Sequence, residues 1–260
     1  MSKTRTALVT GSSSGIGLAT AQTLAQKGYR VMLHGLEDVE QGAAIAQRIA
    51  QETDSETHYC QADLSRLEQV DRLYSSCVEA FGGVDILVNN AGIQYTAPTA
   101  EFPPEKWDLI LSVNLTAAFH ASRLALPAMK NAGWGRIINI ASVHGLVASA
   151  NKSAYCAAKH GLVGLTKVMA LEHAPDGITA NAICPGWTDT PLLNQQFEHY
   201  AGEHGVSFEE AKLGLIHSKT PYPSLIPPAA IGELAAYLCS DAAAGITGAA
   251  LPIDGAWTAH

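Results

Sequence analysis

The chain is 260 residues long, 47% hydrophobic and only 15% charged, with a formal net charge of −8. Such a chain can bury a substantial core, and its low charge suits a compact protein with a large interior or subunit contacts. The negative balance speaks against nucleic acid and anionic membrane surfaces as partners, because both attract basic patches.

In chain order the first element is "TALVTG", a short apolar run that reads as a strand and ends in Gly11. The turn that follows, "GSSSGIG", leads into the helical segment "GLATAQTLAQKG". Gly11 permits a tight turn, Gly15 lets the backbone approach a pyrophosphate, and Gly17 lets the helix pack on the strand. The helix start then offers free N–H groups and the positive end of its dipole to phosphate. The spacing is GxxxGxG, and its position in a first strand–helix unit makes it a dinucleotide-binding candidate. The second strand, "YRVMLHG", ends at Gly35–Leu36 and precedes the helical "EDVEQGAAIAQRIAQET". The third, "THYCQAD", carries Asp63–Leu64 at its end, and a helix within "LSRLEQVDRLYSSCVEAFGG" follows.

The fourth strand, "DILVNNAG", runs into Asn89, Asn90, Ala91 and Gly92. Ligands in a doubly wound sheet sit beyond the carboxyl ends of the strands, so these residues face a site. One asparagine is expected only to fix backbone, and Asn89 is favoured for that. The fifth strand, "GRIINIAS", ends in Ser142, and the helical "SAYCAAKHGLVGLTKVMALEHA" holds Tyr155 and Lys159. Those two are four apart and share a helix face. A free tyrosine has a pKa of about 10, and a neighbouring ammonium favours the phenolate. The pair is therefore a workable acid–base unit, with Ser142 able to hydrogen-bond the same oxygen. His144, Lys152 and Gln94 add three donors around Tyr155, a set that suits a carboxylate.

The sixth strand, "ITANAICPG", precedes an insertion at 187–228, whose length suits a functional lid. The seventh, "AALPIDGA", closes the chain. End-to-end strand–helix alternation predicts one domain over 1–260, with a parallel sheet covered by helices on both faces. The five cysteines, Cys60, Cys77, Cys156, Cys184 and Cys239, are dispersed and form no CxxC pair, as reduced thiols in the cytoplasm would be. The N-terminal apolar run is too short for a signal peptide, and no stretch approaches the ~18 apolar residues that span a bilayer.

"TGSSSGIG", "NNAG", a serine after a strand and "YCAAK", in this order, resemble the short-chain dehydrogenase/reductase family over almost the whole chain. The resemblance implies a single-domain Rossmann-like fold with a seven-stranded parallel sheet and no metal. It implies Tyr155 as proton donor and acceptor, Lys159 beside it on the nicotinamide ribose, Ser142 on the substrate oxygen and Asn114 holding a water near Lys159. It further places Gly11, Ser13, Ser14, Gly15, Ile16, Gly17, Leu36, Asp63, Leu64, Asn90, Ala91, Gly92 and Val113 on the cofactor. Tyr155, Lys159, Pro185, Gly186, Trp187, Thr188 and Thr190 complete that set. No base stands at Ser14 or Leu36 to meet a 2′-phosphate, so NAD is expected over NADP.

"GIQ", "VHGLVASANKSAY" and "CPGWTDTPL" resemble the branch of the family that oxidises D-3-hydroxybutyrate. That implies Gln94, His144, Lys152 and Gln196 on the carboxylate and Trp187 at the methyl end, beside Ser142 and Tyr155. Trp257 stands near the pocket or packs the C-terminus, and the family suggests a homotetramer. Two other readings stay open: a ketoreductase of acyl-carrier thioesters, and a dinucleotide-binding protein without catalysis.

Overall fold

A computed structural model describes residues 4–259, the side chains at 192 and 195 aside. The strands are β1 (Thr6–Val9), β2 (Arg30–Gly35), β3 (Thr57–Gln61), β4 (Ile86–Asn89), β5 (Gly135–Ile140), β6 (Ile178–Pro185) and β7 (Ala250–Ile253). They form one seven-stranded sheet in the order β3-β2-β1-β4-β5-β6-β7, and every neighbouring pair is parallel. The central strands are short apolar runs buried on both faces, as a helix-covered parallel sheet requires. The chain leaves β1 towards β2 on one side and reaches β4 on the other. The crevice between β1 and β4 is therefore the topological switch point where such sheets bind ligands.

The helices are α1 (Gly15–Gln26), α2 (Val39–Thr53), α3 (Leu67–Phe81), α4 (Pro104–Leu111), α5 (Ala117–Ala132), α6 (Ser153–His173), α7 (Pro191–His204), α8 (Phe208–His217) and α9 (Pro228–Cys239). One apolar layer, with Leu24, Ile49, Ile231 and Leu238, covers one face of the sheet, and a second, with Leu73, Ala125, Met129 and Met169, covers the other. α1 and α9 cross closely because position 232 is glycine: a Cβ there would lie 2.7 Å from Thr23 Oγ1 and 3.0 Å from the Ala19 carbonyl.

α4 and α5 are joined without a break by a π-helical turn at Ser112–Thr116, which carries Asn114. The continuous helix Pro104–Ala132 is long and apolar enough to cross a bilayer by length and composition, which the sequence reading did not anticipate. Its apolar residues have another use here: Ala117, Ala121, Ala125 and Met129 pack under the sheet.

The insertion at 187–228 folds mainly as α7 and α8. α8 starts in a capping box, where Ser207 accepts from the Glu210 amide and the Glu210 carboxylate accepts from the Ser207 amide. Phe197 of α7 is fully buried and stacks edge-on against Phe208 of α8, with ring centroids 5.8 Å apart.

Candidate active site

A cavity of about 440 Å³ opens at the carboxyl ends of the strands. The turn after β1 forms one wall. Gly11 and Gly15 hold φ of +60° and +56°, the left-handed region that glycine enters freely. Gly17 lets α1 close on the turn, since a Cβ there would stand 2.1 Å from the Gly11 carbonyl and 2.4 Å from Asn90 Nδ2. Gly17 thus lies behind the cavity, while Gly11, Ser13, Ser14, Gly15 and Ile16 line it.

Asn90 Nδ2 donates to the carbonyls of Thr10 (2.9 Å) and Gly11 (2.8 Å), tying β4 to the turn. Asn89 is buried below the site and donates to Asn139 Oδ1 at 2.8 Å. Leu36, Asp63, Leu64, Asn90, Ala91, Gly92 and Val113 all line the cavity. The Ser65 hydroxyl and amide hold the Asp63 carboxyl below the usual carboxylate range.

Beyond Gly92 the cavity reaches Ser142, His144, Lys152, Tyr155 and Lys159. Ser142 lies two residues past the end of β5, and its Oγ accepts from the His144 amide at 3.1 Å. Tyr155 and Lys159 occupy successive turns of α6, with Lys159 Nζ 5.6 Å from the centre of the Tyr155 ring. Lys159 donates to the Ile140 carbonyl at 2.8 Å. The expected lowering of the tyrosine by its lysine does not prevail in this structure. Burial pushes the phenol up to about 12, against the Ser142 hydroxyl, and pushes the Lys159 amine down to about 8. Both groups have lost the water that would solvate their charged forms, and that loss is the first cause of each shift.

Asn114 lies behind the wall. Its side chain accepts from the Ile93 amide and donates to the Ile93 carbonyl, both at 2.9 Å. It therefore fixes the backbone that follows Gly92. Asn114 Oδ1 and Lys159 Nζ would each lie 3.6 Å from a Cβ placed on Gly92, so the two polar ends flank that glycine.

Gln94, Trp187, Gln196 and Trp257 also line the cavity, as do Pro185, Gly186, Thr188 and Thr190, the last beside the glycine turn, where its methyl lies 3.3 Å from a Cβ placed on Gly15. Lys152 Nζ donates to Gln196 Oε1 at 3.0 Å, and burial pushes this amine down to about 8. His144 is pushed down to about 3, first by burial and then by the positive charge of Lys152. It is a neutral imidazole near pH 7, bonded to the Ser149 hydroxyl at 3.0 Å, so it can offer a polar contact but no charge. Trp257 is buried and does both things the sequence left open: it lines the cavity and packs. Its ring lies edge-on to His144 at 5.5 Å and against Trp187 at 5.1 Å.

Several cavity residues escaped the sequence reading, among them His34, Ile93, Ile140, Pro191 and Leu193, and Glu37 was seen just past Gly35 but not counted in the site. Glu37 had a signal, as an acid just past Gly35 where β2 ends. Gly35 makes room for its carboxylate: a Cβ at 35 would stand 2.1 Å from Glu37 Oε2 and 2.9 Å from Ser13 Oγ. Tyr59 Oη donates to the Glu37 carbonyl at 2.9 Å and holds that loop.

The glycine turn, the open start of α1 and the cavity beside them fit a dinucleotide. Glu37 and Asp63 stand at one end, and the Ser142, Tyr155 and Lys159 group stands at the other. The parallel sheet, this turn and the serine–tyrosine–lysine arrangement define a nicotinamide-dependent oxidoreductase. The chain belongs to the short-chain dehydrogenase family, whose family profile matches residues 5–201. It is 50% identical to D-beta-hydroxybutyrate dehydrogenase of Cupriavidus necator, over 98% of each chain. It is 44% identical to the protein of the same name from Rhizobium meliloti, over 99% of this chain and all of that one. Among solved structures, a variant of actinorhodin polyketide ketoreductase with NADPH superposes with a TM-score of 0.93. That chain is 37% identical over 99% of this chain and 98% of its own.

Proposed function

We propose that this protein is an NAD-dependent dehydrogenase that interconverts D-3-hydroxybutyrate and acetoacetate. The observation that carries the reading is the placement of Lys152, with Gln94, His144 and Gln196, in the same cavity as Ser142, Tyr155 and Lys159. A cation and three neutral polar groups beside an acid–base pair suit a substrate with a carboxylate near its reacting carbon. The names of the two relatives point the same way.

When bound, the dinucleotide supplies the hydride acceptor. The residues do the rest. Ser142 donates to the substrate oxygen, and Tyr155 Oη takes the hydroxyl proton as the C–H hydride leaves the same carbon. In reverse Tyr155 returns that proton to the carbonyl oxygen. Lys159 sits one helical turn away, where its ammonium favours the phenolate once the site is filled. Lys152, Gln94, His144 and Gln196 orient the carboxylate, and Trp187 and Trp257 close the apolar end. Glu37 supports NAD over NADP, since a carboxylate beside Leu36 repels a 2′-phosphate and no base stands there to attract one. The segment 187–228 acts as a lid, with α7 supplying Gln196.

The protein works in the cytoplasm as a homotetramer. Phe119 on α5 and Val168 and Leu171 on α6 are exposed apolar residues of the kind subunit contacts cover. The test is product identification. D-3-hydroxybutyrate and NAD should give acetoacetate and NADH in equal amounts, and failure to form either overturns the assignment.

A further inference from the structure

His34 is the penultimate residue of β2 and is 3% exposed, yet it lines the cavity. Its ring makes two hydrogen bonds. The Gly11 amide lies 2.9 Å from Nδ1, and the Ala62 carbonyl lies 2.9 Å from Nε2. An amide only donates and a carbonyl only accepts, so the chemistry fixes the tautomer: Nδ1 carries the lone pair and Nε2 carries the proton. Burial, which holds the imidazole below its ordinary pKa, keeps that neutral form in place. The backbone adds to the tie. The His34 amide donates to Ser12 Oγ at 2.9 Å, and the Ser12 amide donates to the His34 carbonyl at 2.7 Å.

The position of these bonds gives them meaning. Gly11 opens the glycine-rich turn after β1, at a φ of +60°. Ala62 follows β3 and leads into Asp63 and Leu64, on the cavity wall. One ring therefore spans from the turn to the third strand's end, across the carboxyl end of β2. Because the Gly11 amide is consumed by His34, it faces the ring and not a ligand. The free N–H groups at the start of α1 remain for a phosphate.

We infer that His34 is a positioning residue of the dinucleotide cradle: its Nδ1 lone pair sets the Gly11 turn, and its Nε2–H, held by the Ala62 carbonyl, keeps that lone pair on Nδ1. The inference rests on the dinucleotide reading above. It assigns His34 no contact with the reacting atoms. A strand residue chosen only to fill space would serve as well with leucine or valine, and neither could accept the Gly11 amide.

The test compares His34→Asn with His34→Leu. Asparagine keeps an acceptor oxygen close to the place of Nδ1, whereas leucine keeps the bulk and no acceptor. NADH binding to the purified protein is followed by nicotinamide fluorescence, and protection of the Gly11 amide by hydrogen exchange. His34→Asn should bind within about threefold of wild type with Gly11 still protected. His34→Leu should bind about tenfold or more weakly, the scale of one or two lost hydrogen bonds, with faster exchange at Gly11. The loss should fall on NADH affinity more than on turnover at saturation. Wild-type-like affinity in His34→Leu overturns the proposal, as does His34→Asn binding as weakly as His34→Leu. Where His34→Leu does not fold, His34→Gln takes its place with the same expected loss, because its acceptor lies one bond too far out. A wild-type protein that binds neither NADH nor NADPH overturns the cofactor reading itself, a result distinct from the other two.

Discussion

Lys152 Nζ donates a 3.0 Å hydrogen bond to Oε1 of Gln196, joining the residue before α6 to the middle of α7. α6 and α7 are thus linked through two side chains that the proposed function assigns to the same carboxylate. Under the proposed function, the substrate carboxylate should take over the ammonium and the Gln196 amide should turn its N–H₂ inward. A charge-assisted hydrogen bond in such a site contributes roughly 1.5–3 kcal/mol. Lys152→Ala should therefore lower kcat/KM for D-3-hydroxybutyrate by roughly ten- to a hundredfold or more, and Gln94→Ala by less. Steady-state rates with a small neutral secondary alcohol are the control, and Lys152→Ala should leave them nearly as poor as before. Equal losses on both substrates would remove Lys152 from carboxylate recognition.

Tyr155→Phe removes the phenol and keeps the ring that lies 5.9 Å from His144. Turnover should drop on the order of a hundredfold or more, with NADH affinity largely retained. Single-turnover rates and fluorescence titration separate the two effects. Near-normal turnover would take Tyr155 out of the proton transfer.

Cofactor preference should follow Glu37. Wild type should show a higher kcat/KM for NAD than for NADP. Glu37→Gln combined with Leu36→Arg should narrow the gap, because it removes a repelling carboxylate and adds a guanidinium for the 2′-phosphate. Rates with both dinucleotides decide this, and a wild type that already prefers NADP contradicts it.

The buried bases predict how stability depends on pH. His144 titrates at about 3 in the fold, against 6.5 when free. The unfolded chain therefore takes up a proton that the fold refuses, and stability falls as pH drops from about 6.5 towards 3. His34, also held low by burial, acts with the same sign. Lys152 titrates at about 8 instead of 10.5, so the unfolded chain binds more protons across that interval and stability rises with pH through it. Lys159 adds to this rise. In thermal melts, His144→Asn should flatten the acid slope and Lys152→Met the alkaline one. Unchanged slopes would show that these groups keep their ordinary affinities for protons.

All seven strands were legible in the sequence: the central ones, buried on both faces, are short apolar runs, and the edge strands β3 and β7 stood out by their place in the strand–helix alternation. The stretch from Ser142 to Lys159 was legible for a local reason: its groups share one strand end and one helix face. What escaped depends on convergence across the sheet. His34 reads as one more strand residue until Gly11 and Ala62 are seen at either side of its ring. Glu37 gains meaning only because Gly35 vacates the space beside it. The π-helical turn at Ser112–Thr116 widens the helix by one residue and leaves no mark in the apolar spacing. The raised phenol of Tyr155 was missed because spacing shows a neighbouring lysine but not the water excluded from both.

Initial rates over a matched panel test the central claim most directly: D-3-hydroxybutyrate, its L enantiomer, a neutral secondary alcohol and, in the reductive direction, a 3-ketoacyl thioester of acyl-carrier protein, each with NAD(H) and NADP(H). The account predicts that D-3-hydroxybutyrate with NAD gives the highest kcat/KM, roughly a hundredfold or more above the neutral alcohol, because the latter leaves Lys152 and its polar neighbours unpaired. A thioester reduced fastest with NADPH, or no turnover with any of them, would contradict it.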